Sequence, residues 1–526
     1  FREQPKFFDV VTYTGNGAAP RNISHNLGST PGCILIKCTN TTGDWFVWHR
    51  SMTSTTSNYL VLNSTAAQAS GFYWPNGVTD TFFSVNGTLG NINTNGNTYV
   101  AYLFAHNAGG FGLTGTDNVI SCGSFVVDPN GNITTPVNLG YEPQWVMVKA
   151  SSTTSTWRIY DSMRGLPVGN SARTLVPNSS AAEVGNSGGL SLSATGFGGF
   201  SLPTSSTCIY VAIRRGPMRV PTTGTSVFAP TASSAAEGTA ITINFSPDAQ
   251  IFTPRSSVSQ KVVSRLTQVS SPGVGGTSYL ITSSGAAEVF SATQNQSRAW
   301  NNTGFQIPGD GNSTSSVYWS FGRAPGYMDE VCFQGTNVSN AAIPHNLGVV
   351  PELVISKTRG VIDDWNVWAG GILGARAALR LNSPSAVSNL YFNSGTFATA
   401  SNIYEGVQTG INTSTNVVYL FASCPGVSKV GSFTGTGATQ VINCGFTAGA
   451  RFVLIKATST TGNWLVWDSA RGIVAGNDPY LTLNTTDAEV TNTDWVDTAA
   501  SGFELSNAGG NLANSNGVSY IFLAIA

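Results

Sequence analysis

The chain has 526 residues, too many for one hydrophobic core, so it must divide into several domains. Only 10% of its residues are charged and its formal net charge is −1, so the basic footprint of a nucleic-acid binder is missing. Aliphatic and aromatic content argues against disorder, and the longest apolar runs, such as "YVAYLFA" at 99–105, are strand-sized and too short to span a bilayer.

In chain order, "FREQPKFFD" at 1–9 matches "FGRAPGYMD" at 321–329. The chain is therefore expected to start on a joint and to be a section of a longer array. "RNISHNLGSTPGCILIK" at 21–37 leads a turn into an apolar strand ending at Lys37. Eight residues later comes "WFVW" at 45–48, then "YLVLNSTAA" at 59–67 and the closing strand "YVAYLFA". A Gly-rich joint, "HNAGGFGLTG" at 106–115, separates this unit from the next. The second unit repeats the frame with Lys149, "WRIY" at 157–160, "TLVPNSSAAE" at 174–183 and "CIYVAI" at 208–213. After "RRGPMRVP" at 214–221 the third unit lacks the Lys and Trp signature. It keeps "YLITSSGAAE" at 279–288 and "VYWSF" at 317–321, and reads as a divergent copy. The fourth restores the frame with "AIPHNLGVVPELVISK" at 342–357, "WNVW" at 365–368, "LRLNSPSA" at 379–386 and "VVYLFA" at 417–422. The fifth follows the joint "SCPGVS" at 423–428 with Lys456, "WLVW" at 464–467, "YLTLNTTDAE" at 480–489 and "YIFLAIA" at 520–526. The closing tyrosines Tyr210, Tyr318, Tyr419 and Tyr520 put the period near a hundred residues.

Short runs rich in Val, Ile, Thr and aromatics, bounded by Gly, Asn, Ser and Pro, predict an all-β chain. The expected architecture is a tandem array of five β-sandwich domains of jelly-roll or related topology, at 8–107, 117–215, 218–323, 329–424 and 427–526. The joints are short, which predicts a semi-rigid rod.

Internal comparison weighs the candidate chemistry. His25 and His345 stand at the same place in the frame, but the second unit has Val137 there and keeps Asn138-Leu139-Gly140. A required acid, base or metal ligand cannot be replaced by valine, so the histidines read as turn punctuation with Gly in a left-handed conformation. The seven cysteines show no C-x-x-C spacing and read as buried thiols. "DSMRG" at 161–165 and "DSARG" at 468–472 pair Asp161 with Arg164 and Asp468 with Arg471. An ion pair or Asx turn is one reading, and a ligand-contacting loop is the other. Along "WFVW" side chains alternate. Trp45, Trp157, Trp365 and Trp464 are placed inside, with Val or Ile two residues on. Trp48, Tyr160, Trp368 and Trp467 then lie on the opposite, variable face. There they are covered by a loop or neighbouring domain, or form a platform for glycan or another subunit. No nucleophile elbow, phosphate loop, calcium loop or glycosidase carboxylate pair stands out. No catalytic residue, metal site or cofactor is assigned.

"SHNLGSTPGCILIK", "TGDWFVWHRSM", "YLVLNSTAA" and "YVAYLFAHNAGGFG" together resemble a repeat domain of tail-fibre and other virion structural proteins of tailed bacteriophages, especially marine and cyanobacterial phages. The match is close over residues 8–215, fair in the fourth and fifth units and weak in the third. The resemblance brings no catalytic residues. It implies a non-enzymatic virion protein, a tail fibre or tail appendage that meets a host receptor or glycan, located in the virion and extracellular after assembly. Expected partners are other tail proteins and further copies of the chain, as a homotrimer in which the four outer aromatics make contacts; no nucleic acid or membrane insertion is expected. A capsid-attached fibre or decoration protein, or a secreted adhesin, are the alternatives.

Overall fold

The computed structural model describes residues 2–87, 92–166, 173–183, 189–256, 259–267, 277–291, 300–307, 315–338, 340–374, 377–389, 397–404 and 413–526. The first repeat shows how the frame folds. Its strands are β1 (Phe8–Thr14), β2 (Arg21–Ser24), β3 (Cys33–Cys38), β4 (Trp45–His49), β5 (Asn58–Val61), β6 (Ala69–Ser70), β7 (Phe82–Val85) and β8 (Thr98–Phe104). One antiparallel sheet has the order β1-β8-β3-β4-β5-β6, and β2 pairs with β7 in a second. The β1-β8-β3 neighbourhood and the β2–β7 pair are jelly-roll features, whereas β4 to β6 run on as a meander in the long sheet.

The turn entering β3 follows the sequence logic. Gly28, Gly140 and Gly348, each after Asn-Leu, have φ of +71°, +75° and +76°, a region where a Cβ is strained. All four later repeats pair a long sheet with a short one. The closing tyrosines do not share one register position. Lys149 pairs with Ile209, Lys357 with Val417 and Lys456 with Ile521, so Tyr210, Tyr419 and Tyr520 sit one after, two after and one before that point.

The chain forms two compact units, divided near Met218 and Arg219. The first holds repeats 1 and 2, the second repeats 3, 4 and 5. In repeat 5 the interior between the sheets is built from Val453, Ile455, Leu465, Trp467, Val496, Phe503, Leu505, Tyr520 and Phe522. The alternate residues of the long sheet, Leu454, Lys456, Trp464, Val466 and Leu523, point out of the sandwich yet are also buried. Both faces of this sheet are covered, one by its own small sheet and one by other repeats.

This reverses the expected facing. Trp48, Tyr160, Trp368 and Trp467 are 3%, 0%, 8% and 0% exposed, so they form no outer platform for glycan or a second chain. Trp467 lies inside its own sandwich against Tyr480, Trp368 meets Phe397, and Trp48 Nε1 donates to Thr55 O. The tryptophans expected in the core are the ones that leave it. The rod expectation also fails within the second unit. Repeat 3 contacts repeat 4, repeat 4 contacts repeat 5, and repeat 5 returns to repeat 3. Three repeats close a ring.

Candidate functional site

One interface recurs, and the repeated residues build it. Its receiving face is the end of the third strand and the start of the fourth, where the retained Lys and Trp lie opposite each other in register. Its docking element is the loop after the fifth strand of the preceding repeat. Trp157 Nε1 donates to Val61 O at 2.9 Å, Trp365 to Ile281 O at 2.8 Å and Trp464 to Arg380 O at 2.9 Å. The lysines aim at the same loops four residues further on: Lys149 Nζ to Thr65 O at 3.1 Å, Lys357 to Gly285 O at 3.2 Å and Lys456 to Pro384 O at 3.0 Å. Burial pushes the Lys149 and Lys456 ammonium groups down to about 8, and Lys357 in the same direction. Each is held by carbonyl oxygens. A backbone bond completes the contact, from Gln68 to Ser151 O, Glu288 to Arg359 O and Val387 to Thr458 O.

The ring is closed by a variant of this interface. Glu489 N–H donates to Arg255 O at 2.9 Å, but Thr253 and Gln260 occupy the Lys and Trp positions of repeat 3. Charges replace the missing anchors. Arg255 Nε lies 2.6 Å from Glu489, and Trp319 Nε1 donates to Asp468 at 2.8 Å. Arg471 pairs with both Asp468 and Glu489, with its guanidinium 5.6 Å from the Trp319 ring. The side chains of Asp468 and Arg471 are fully buried, and both lie against Trp319 of repeat 3. Asp161 forms the turn by accepting from the backbone of Met163 and Arg164 and pairs with Arg164, which also reaches Glu183 at 3.4 Å. Both motifs are structural turns, and the one in repeat 5 is also an interface. Where repeats 3, 4 and 5 meet, an apolar cavity of about 40 Å³ is lined by Ile251, Ile355, Leu454, Phe321, Phe421 and Phe452 among others. It has room for about one water, so it is a packing seam.

The histidines are turn elements. His345 Nδ1 accepts the Leu347 N–H at 3.2 Å while Nε2 faces Thr399 O at 3.1 Å, and His25 repeats this with Leu27 and Thr79. Both ring nitrogens are used in the neutral form, and burial lowers both pKa values. His345→Ala is expected to cost about 1 kcal/mol, the scale of a lost turn hydrogen bond, with unchanged metal content by elemental analysis. A stoichiometric metal lost with the variant would overturn the assignment. All seven thiols are free and buried.

Sequence reasoning passed over two features. Asp478, Asp494 and Asp497 bring one carboxylate oxygen each within 4.8 Å of one another, and burial pushes Asp478 up to about 6. The "NTDWVDT" signal at 492–498 is too ordinary to mark it, and Asp478 is occupied in accepting from Val474 and Val496 N–H. A groove of about 510 Å³ beside repeat 5 is lined by Glu352, Ile372, Lys429, Phe433, Val441 and Phe522. The lysine spacing is visible in the sequence, but the backbone carbonyls that the lysines meet are not.

A family model described as "Domain of unknown function (DUF7483)" matches residues 3–212 and 300–526. The gap covers most of repeat 3, whose receiving face lacks the Lys and Trp. No curated protein and no solved structure matches the chain.

Proposed function

The chain belongs to the DUF7483 family, and we propose that it is a non-enzymatic structural protein of a tailed-phage virion. On this reading it is a tail fibre or similar tail appendage that helps attach the particle to a host receptor or glycan. One observation carries the proposal: what the repeats retain is the machinery for docking one repeat on another. Lys149, Lys357 and Lys456, with Trp157, Trp365 and Trp464, are spent on backbone carbonyls of a neighbouring repeat. A chain whose repeated polar groups serve assembly suits a building element. The resemblance of the repeat motifs to tail-fibre proteins supplies the particle. Other tail proteins and a host-surface glycan or receptor are the partners, and a homotrimer is the assembly proposed by analogy with such fibres. Its contacts would use surfaces other than the four enclosed aromatics.

The test is immunogold labelling of purified virions with an antibody raised against the protein. Gold along the tail or its fibres is the expected result. Gold on the capsid shell, or particles that lack the chain, would reject a tail appendage.

A further inference from the structure

The first unit contains two thirds of the ring that the second unit completes. Repeat 1 docks its loop on repeat 2, but the receiving face of repeat 1 and the docking loop of repeat 2 have no repeat against them within that unit. The consequences are local and match at both ends. On repeat 1, Leu35, Lys37, Trp45 and Tyr102 are half-buried, whereas Leu454, Lys456, Trp464 and Leu523 at the same register positions are 4%, 0%, 1% and 2% exposed. Among the described residues Trp45 Nε1 has no acceptor, and Lys37 Nζ stays within its own repeat, donating to Gly43 O and lying 5.9 Å from the Trp45 ring centre. On repeat 2, Ile159 and Leu175 are half-buried, whereas Val466 and Leu481 of repeat 5 are 0% and 1% exposed.

We propose that these two half-open ends form one docking site for a single further repeat domain of this family, which closes the first unit into a three-membered ring. The paired ends specify the occupant. Both docking loops that carry Glu in the second unit meet Arg: Glu288 pairs with Arg359 at 2.9 Å and Glu489 with Arg255 at 2.6 Å. The loop of repeat 2 ends in Glu183, held at 2.9 Å by Arg173 of the same repeat, so the occupant carries an arginine after its third strand. The opposite end is neutral. Thr39 Oγ1 of repeat 1 donates to Thr98 O at 3.1 Å, as Thr458 Oγ1 donates to Ser519 O at 3.0 Å. Thr458 receives the loop ending in Val387. The occupant therefore has an uncharged residue there and offers two carbonyls to Trp45 Nε1 and Lys37 Nζ. Repeat 4, with Arg359 and Val387, has both features, and its Tyr419 stands where repeat 3 has the Trp319 that meets Asp468.

A second copy of the first unit would pair the same two ends into a ring of four, whereas the closed ring of the second unit has three members. Repeats 3, 4 and 5 of a second chain have their loops and faces already engaged. This inference does not depend on where the protein acts.

The test extends the full chain by a second copy of residues 328–420 placed directly ahead of Phe1, where the joint at 1–8 mirrors the joint at 421–428. Lys37 acetylation and hydrogen exchange of the Trp45 indole are followed by mass spectrometry and NMR. The proposal expects both to slow by about tenfold or more relative to the unextended chain, as protection by a docked element does. It also expects Trp45→Ala to lower the melting temperature of the extended chain far more than that of the original. Lys37 labelling at its original rate overturns the proposal, whether the added repeat is folded or not, because a repeat that fits would be stabilised by both contacts. Slowed labelling with an unmoved Trp45→Ala melting difference also overturns it, since the protection would then come from another surface.

Discussion

Replacing Trp464 by alanine is expected to lower the unfolding free energy of the second unit by about 3–5 kcal/mol, as other large buried truncations do. The side chain is 1% exposed, so the whole ring loses its packing. It belongs to the seam between repeats 4 and 5, and its removal also strips the Arg380 carbonyl of a partner at 2.9 Å. Lys456, whose ammonium is held by Pro384, Ser385 and Gly462 carbonyls, then loses an apolar wall and takes in water. Trp467→Ala should cost a similar amount by a different route, because that ring fills the interior of repeat 5 beside Tyr480 and Phe503. Urea unfolding measures the size, and amide exchange separates the two. Trp464→Ala should first expose the bonds from Gly462 to Pro384 and from Val387 to Thr458. Trp467→Ala should first expose the short sheet at Val496–Ala499 and Gly502–Leu505. A Trp464→Ala variant that loses short-sheet protection first would place this tryptophan back in its own core.

The repeats, their all-β character and the glycine turns were legible because they are local. Asn-Leu-Gly needs only a residue that tolerates positive φ, and Val137 in place of His25 already showed that the imidazole was dispensable. The facing of the tryptophans was not legible. Alternation assigns faces when one side of a strand is wet, and the strand Phe452–Ala457 is buried at every position. With both sides dry, Phe46 and Leu465 fall on the variable face of the fourth strand although they line sandwich interiors, where any apolar group of suitable size packs. Alternation with Val or Ile places the repeated Trp in the core, but the same pattern fits a face buried against another repeat. The actual constraint on this Trp is geometric: an indole N–H must meet one carbonyl of the neighbouring loop. That acceptor is backbone, so it leaves no residue type in the sequence to find. The Asp–Arg pairs were visible as pairs, but only the fold shows that Asp468 and Arg471 lie against Trp319, 149 residues from Asp468.

The first unit should lose stability in mild acid, and His49 is the group responsible. Its ring is fully buried where repeat 1 meets repeat 2. Nε2 lies 3.0 Å from Tyr210 O and Nδ1 accepts the Ser51 N–H at 3.2 Å, an arrangement that requires the neutral ring. Protonation would put a hydrogen on Nδ1 as well, break the bond from Ser51 and place a cation near Arg50 and His106. Burial, with Arg50 and His106 adding repulsion, brings the His49 pKa down to about 4, against the bond to Tyr210 O, which opposes the shift. Because the unfolded chain binds this proton more tightly than the folded one, stability is complete above about pH 6.5 and falls as the pH drops from there to about 4. The total loss is on the order of 3 kcal/mol, from about two and a half pKa units at 1.36 kcal/mol each. His106 is lowered to about 4 as well, mainly by burial and further by Arg50, so it steepens the same window. There is little slack for a charged ring to escape into, since a Cβ on Gly32 would stand 2.6 Å from Cys122 Sγ and 2.8 Å from His106 Cβ. His49→Gln keeps an N–H for Tyr210 O and removes the titration. Denaturant midpoints of the first unit between pH 7 and 4 should fall for the native sequence and fall distinctly less for the variant. Parallel curves for the two proteins would mean that His49 takes its proton without disturbing the seam, and the buried, neutral assignment would be wrong.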